Sequence, residues 1–274
     1  MKKFNRRKRK AILKKGSGLK VLQNIKRAKL PYYIDHNAQG TTVIIETPIF
    51  KQMFTDGSVP RRELWFISQV KAEVMRRHAE GLFFYEPLTN YKPNFFKFKK
   101  PNTDFFTNVV ELDINAAYWH TLFFTGAISK ELFDKGFKVS KMARLCAVGT
   151  LGKQTFTYYF DGNKLHKEAQ KVSPMREFWK TIVNSADNVI NEVFMQLDSV
   201  LFYWVDAIFI NENEAPRAVE LFRQLGYEVK AKPLEYILFT GDTYIVQEAN
   251  KPEPKLFTLP KTQQHFLNYF KKQF

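Results

Sequence analysis

Two aspartates stand where a charge is expensive. Asp113 follows Val109-Val110-Glu111-Leu112, and Asp206 lies within Phe202-Tyr203-Trp204-Val205-Asp206-Ala207-Ile208-Phe209-Ile210. A carboxylate in so apolar a strand must be paired or metal-bound to repay its desolvation. Carboxylates on neighbouring strands suit Mg²⁺ (or Mn²⁺), hard cations that take Asp oxygens together with substrate phosphates. Two such ions about 3.5–4 Å apart activate an attacking hydroxyl and stabilise a leaving pyrophosphate. The plainer alternative is that each Asp closes a strand at the surface. Other chemistries find little support. His36, His78, His120, His166 and His265 show neither H-x-x-x-H nor HExxH spacing. The single cysteine, Cys146, excludes an internal disulfide and any Cys-based zinc site, and its apolar helical setting reads as packing.

These aspartates need strands and helices to hold them. Residues 108–114 and 201–210 read as strands, the second a single buried run interrupted by one charge. Helical spacing covers 61–78, 116–124, 129–135 and 140–151, with Ser140 as the N-cap of the last. Residues 156–160 with Asp161-Gly162-Asn163 read as a hairpin, and Ser173-Pro174 opens a long helix to about 197. A helix over 214–225 and short strands at 228–232, 235–240 and 244–247 follow, with a turn at Gly241-Asp242 and a terminal helix at 263–272. Residues 41–46 form a strand, and 87–101 form an aromatic, Pro-broken loop. The expected fold class is α+β.

Charge divides the chain unevenly. Of 274 residues, 43 are Lys or Arg and 27 are Asp or Glu, a net +16. Residues 1–30 hold 13 of the basic groups and no acid, with Arg6, Arg7, Lys8, Arg9 and Lys10 in the densest cluster. Such an arm releases counterions on a phosphate backbone, so it points to nucleic acid; the alternative is a solvated tail. Tyr91, Phe95, Phe96 and Phe98 alternate with Lys92, Lys97, Lys99 and Lys100, a pattern suited to stacking bases and holding phosphates of a single strand. No apolar run reaches the roughly 20 residues of a membrane span, and no apolar segment follows the basic N-terminus as in a signal peptide. A soluble, cytoplasmic protein is the expectation.

Asp113-Ile114-Asn115-Ala116-Ala117-Tyr118 resembles motif A of family B DNA polymerases, D-x-x-S-L-Y-P, and most of all the protein-primed viral and plasmid branch. Lys141 to Gly149 resembles motif B, K-x-x-x-N-S-x-Y-G, in its Lys and Gly, and a second register from Arg144 to Gly152 followed by Lys153 keeps a base and a Gly. Trp204-Val205-Asp206-Ala207 resembles motif C, Y-x-D-T-D-S, with Asp206 as its second aspartate and Trp204 in place of the first. Asp242-Thr243-Tyr244 falls where the family has a K-x-Y hairpin, with Asp for Lys. The resemblance covers roughly residues 105–248. It implies a palm-like antiparallel sheet backed by helices, with a minimal fingers insertion. It further implies Asp113 and Asp206 as metal ligands, Tyr118 discriminating against ribose, and Lys141, Arg144 and Lys153 on the triphosphate. DNA template-primer and deoxynucleoside triphosphates are the implied partners, with a replication partner protein as a further one.

The resulting division is a basic arm (1–30), a nucleic-acid-contacting subdomain (31–104) in which Lys97, Lys99 and Lys100 touch the strand, a palm (105–248) with Tyr244 at the primer, and a linker with a terminal helix (249–274). The 112 residues before Asp113 are too few for a proofreading exonuclease, and none is expected. Two alternatives stand beside this reading. The 93 residues from Asp113 to Asp206 are nearer the spacing of reverse transcriptases. Trp204 and Asp242 fit a decayed palm that binds DNA as a replication accessory without catalysis.

Overall fold

A computed structural model describes residues 10–13, 24–25, 27–37, 42–48, 51–55, 59, 61–89, 91, 96–99, 105–240 and 243–258. Arg6, Arg7, Lys8, Arg9, Lys100, the turn at Gly241-Asp242 and the expected helix at 263–272 lie outside the described residues. The chain divides into two compact units. One comprises Met1–Arg76, Asp134–Trp179 and His265–Phe274, and the other Arg77–Phe133 and Lys180–Gln264. This division differs from the one drawn from sequence, because a strand from residues 31–104 pairs with one from residues 105–248.

The first unit holds a six-stranded sheet built from β1 (Lys10–Leu13), β2 (Tyr32–Asn37), β3 (Thr42–Glu46), β4 (Lys51–Thr55), β7 (Gln154–Phe160) and β8 (Leu165–Val172). Its order is β1-β4-β3-β2-β7-β8, antiparallel except for the β1–β4 pair. Side chains alternate across a strand, so Tyr32 and Ile34 enter a core with Ile25, Val43 and Ile45 while Tyr33 and Asp35 stay half-buried. Ser140 caps a helix as expected: its Oγ accepts the Ala143 N–H at 3.2 Å. Buried Glu63 accepts the Ser140 N–H at 3.3 Å in turn.

The second unit holds a seven-stranded sheet in the order β13-β12-β11-β6-β10-β9-β5, with every pair antiparallel. Its strands are β5 (Phe96–Phe98), β6 (Phe105–Ile114), β9 (Val200–Trp204), β10 (Ala207–Asn211), β11 (Val229–Thr240), β12 (Thr243–Glu248) and β13 (Lys255–Thr258). Among the described residues six α-helices occur: α1 (Leu64–Ala79), α2 (Ala117–Phe124), α3 (Lys130–Phe137), α4 (Lys141–Leu151), α5 (Arg176–Gln196) and α6 (Ala215–Gln224). Strands β6, β9, β10 and β11 with intervening helices give the β-α-β-β-α-β chain order, and their neighbours in space are β11-β6-β10-β9, the split βαβ arrangement. One face is closed: Val110, Leu112 and Ile114 of β6 and Ile208 and Ile210 of β10 pack with Ile190, Val193 and Phe194 of α5 and Ala218 and Phe222 of α6. The other face carries Val109, Ala207, Phe209, Tyr244 and Val246.

Several elements differ from the sequence reading. Residues 201–210 are two strands, not one, because Val205-Asp206 forms a turn. Pro233 does not divide 228–240; β11 runs through it and absorbs the disturbance as a register shift between Leu234 and Tyr236. The aromatic loop contains β5, and the supposed C-terminal linker contains β13. Helix α5 begins at Arg176, after Ser173 Oγ has accepted the Met175 N–H at 3.3 Å in a preceding turn.

Candidate active site

Asp113 closes β6 and Asp206 precedes β10. The two strands are antiparallel, so the end of one lies beside the start of the other. Asp113 is the register partner of Ala207, and the Ile114 N–H donates to the Asp206 carbonyl at 2.9 Å. Period two along β6 turns Val110, Leu112 and Ile114 to the helices and Glu111 and Asp113 to the open face. Both aspartates line a cavity of about 330 Å³ on that face. Glu111 and Glu248 share its wall, and Trp204, Tyr244 and Phe257 supply an aromatic side. Trp204 lies 5.1 Å from Tyr244, whose ring stacks on Phe257 at 5.0 Å and 15°.

Two strained turns hold the aspartates. Val205 has φ 55° and is the first central residue of the two-residue β9–β10 turn, a place that favours Gly. Ala116, three residues after Asp113, has φ 52° and sits at the N-cap of α2 without a side-chain bond. Non-glycine residues in this region cost of order 1–3 kcal/mol and gather at functional sites.

The charges are not equivalent. Glu111 Oε1 is 2.5 Å from Lys232 Nζ, and Glu248 is paired with Lys255. The Asp113 carboxylate makes no hydrogen bond or ion pair among the described residues. Tyr118, in the first turn of α2, is half-buried. Burial raises its hydroxyl well above the usual tyrosine range, and the charge of Asp206 pushes the same way, followed by those of Tyr91 and Asp187.

Among the described residues no group of three or more His, Cys, Asp or Glu side chains forms a cage for an ion. The donor set at Asp113 and Asp206 instead fits Mg²⁺ as that ion is usually held, on one or two carboxylates completed by water and substrate phosphates.

The structure brings Asp113, Asp206, Tyr118 and Tyr244 into one unit; Lys141, Arg144 and Lys153 belong to the other. Tyr244 is 2% exposed and packed among Phe202, Phe239 and Phe257, so it is a wall of the cavity rather than an outward grip on a primer. Lys141 and Lys153 are exposed. Arg144 Nη1 donates to the Gly136 carbonyl at 2.8 Å and the Val139 carbonyl at 3.2 Å, and the guanidinium lies over Phe137, so this side chain braces the α3–α4 turn. Lys99 Nζ donates to the carbonyls of Phe194, at 2.9 Å, and Leu197, and Lys97 Nζ reaches Asn191 Oδ1 at 3.4 Å. The Lys99 ammonium serves the carbonyls at the C-terminal end of α5, where a helix favours cations, and Lys97 lies beside Asn191 of the same helix. Lys10 lies in β1. Trp119, in the place of the motif A proline, is core: its indole N–H donates to the Phe133 carbonyl at 3.1 Å.

Sequence reasoning passed over Glu111, Lys232 and Glu248. The signal for Glu111 was its place two residues before Asp113 on the same strand face. For Lys232 the pairing of β11 with β6, and for Glu248 that of β12 with β11, brings it there.

No protein-family model matches the chain, and a search of curated proteins finds no match either. No described helix is long and apolar enough to cross a membrane.

Proposed function

We propose that the chain is a template-directed DNA polymerase-like nucleotidyltransferase whose catalytic sheet is the second unit. The observation that carries this reading is the meeting of Asp113 and Asp206 at adjoining ends of paired strands, on the open face of a β-α-β-β-α-β sheet, with Tyr118 in the first turn of the helix that follows β6. Asp113 and Asp206 would hold Mg²⁺ or Mn²⁺, which neutralises charge on the reacting phosphate and acidifies the attacking 3′-hydroxyl. Tyr118 discriminates against a 2′-hydroxyl. The 13 basic groups of residues 1–30 bind the nucleic-acid backbone.

The test is primer extension by the purified chain on primed DNA with deoxynucleotides and Mg²⁺ or Mn²⁺. Extension that Asp113→Asn and Asp206→Asn each abolish supports the proposal. Tyr118→Ala should then raise ribonucleotide incorporation. Efficient extension on RNA alone would favour a reverse-transcriptase-like enzyme. Salt-sensitive DNA binding without synthesis under any metal would favour a non-catalytic replication accessory, the reading that Trp204 supports.

A further inference from the structure

We propose that Trp204, with Phe257 beside it and Tyr244 behind, is a stacking wall for one nucleobase, placed so that the sugar and phosphate of that nucleotide reach Asp113. This rests on the nucleotidyltransferase reading of the second unit and adds to it the group that holds the base. The second sheet is curled. Strands β9 and β12 stand four places apart in its order, roughly 19 Å if it were flat. Yet the ring of Trp204 in β9 lies 5.1 Å from that of Tyr244 in β12 and 6.0 Å from that of Phe257 in β13. Curling turns the open face into a concave cavity with aromatic rings along one side. Tyr244 is covered, whereas Phe257 is 36% exposed and Trp204 is half-buried, so these two rings keep surface to offer.

Register fixes what lies across from the wall. Ala207 pairs with Trp204 on one flank and with Asp113 on the other. Trp204, Ala207 and Asp113 therefore form one row over three neighbouring strands, the outer two on the order of 10 Å apart. One nucleotide spans that distance from its base to its sugar and phosphate. Ala207 between them carries only a methyl group, which leaves the space above it open. Glu111 and Glu248, the other carboxylates on the β6 and β12 walls, are already paired with Lys232 and Lys255. A cavity of about 330 Å³ is at the small end of ligand pockets, room for one nucleoside and not for a base pair. Every base has a face that stacks on an aromatic ring, so such a wall holds a nucleotide without reading its sequence, as templated synthesis requires.

The experiment gives the full chain primed DNA, Mg²⁺ and a fluorescent purine analogue whose emission falls when it stacks. One arm places the analogue at the primer 3′ terminus, and a second supplies it as a free deoxynucleoside triphosphate. Circular dichroism checks folding. The wild type should quench the analogue in one arm, which tells whether the wall holds the primer end or the incoming nucleotide. Trp204→Leu should lose the quenching and weaken binding of that species on the order of tenfold, and Trp204→Phe should keep both. Phe257→Ala, on an edge strand, should lose part of the quenching and carries the test if Trp204→Leu does not fold. Quenching that these variants leave intact, or no quenching in either arm by a chain that extends primers, overturns the inference while the polymerase reading stands. Quenching that depends on Trp204 in a chain that extends no primer overturns the polymerase reading and leaves the wall in place. Absence of both quenching and extension overturns both.

Discussion

The turn that presents Asp206 gives a sharp test of the geometry. Val205 sits at φ 55° in a two-residue hairpin loop. An L-residue in the left-handed region costs about 1–2 kcal/mol, whereas glycine enters it freely. Comparing Val205→Gly with Val205→Ala removes the isopropyl group in both and leaves only the backbone difference. At an ordinary position Ala is favoured over Gly by roughly 0.5–1 kcal/mol, because glycine loses more entropy on folding. At position 205 the order should invert, with the Gly variant more stable by about 1 kcal/mol. For a chain of this size that is about 2–4 °C in Tm. Urea midpoints at constant m-value would measure it. An Ala variant as stable as the Gly variant, or more so, would show that the turn is not left-handed at 205 and would remove the argument that strain marks this site.

Three further outcomes follow from the same structure. Ala116→Gly should stabilise the chain, by a few tenths to about 1 kcal/mol in denaturant melts, since Ala116 is at φ 52°. Gly152→Ala should destabilise it by about 1–3 kcal/mol or prevent folding, because a Cβ there would lie 2.3 Å from Trp179 Cδ2; Trp179→Leu in the same chain should recover part of the loss. Hydrogen bonds from the Ser199 hydroxyl and N–H hold the Glu214 carboxyl below its ordinary value of 4.5. A depressed folded pKa contributes stability that is present above 4.5 and lost as pH falls through the lower folded value, so Glu214→Gln should flatten the acid limb of stability in that window. An unchanged limb would show that the Ser199 bonds do not persist in solution.

What the sequence could reveal depended on whether local pattern or distant pairing decided the outcome. The strand bearing Asp113 was legible because Val110, Leu112 and Ile114 alternate with polar neighbours, and α4 was legible because Ser140 announces its cap. The β9–β10 turn was not legible, since Val-Asp carries none of the Gly or Asn chemistry such turns use and the surrounding residues are apolar without interruption. The β7–β8 hairpin was legible from Asp161-Gly162-Asn163, but the extent of β8 was not, because its residues are almost all exposed and show no apolar period. The division into units escaped because it rests on the pairing of β2 with β7, more than 100 residues apart in the chain. The partners of Arg144 and Lys99 were not legible for a related reason. A basic side chain reads the same in sequence whether it meets a phosphate or a neighbouring carbonyl, and here Gly136, Val139, Phe194 and Leu197 supply the carbonyls.

The places where local rules fail are themselves informative. Five described non-glycine residues have positive φ: Lys29, Asn108, Ala116, Val205 and Asn250. Asparagine tolerates that region, so Asn108 and Asn250 need no special cause. Lys29, Ala116 and Val205 have no such excuse, and a β-branched residue is the least suited of all. Ala116 and Val205 lie within three residues of an aspartate on the open face; Lys29 does not. Antiparallel pairing of β6 and β10 brings those aspartates to the same end of the sheet, and the two turns fix the direction in which the chain leaves each strand. A sequence selected only for stability would place Gly or Asn at both turns. Strain of this kind gathers at functional sites, and β6 and β10 supply the packing that keeps it in place at Ala116 and Val205.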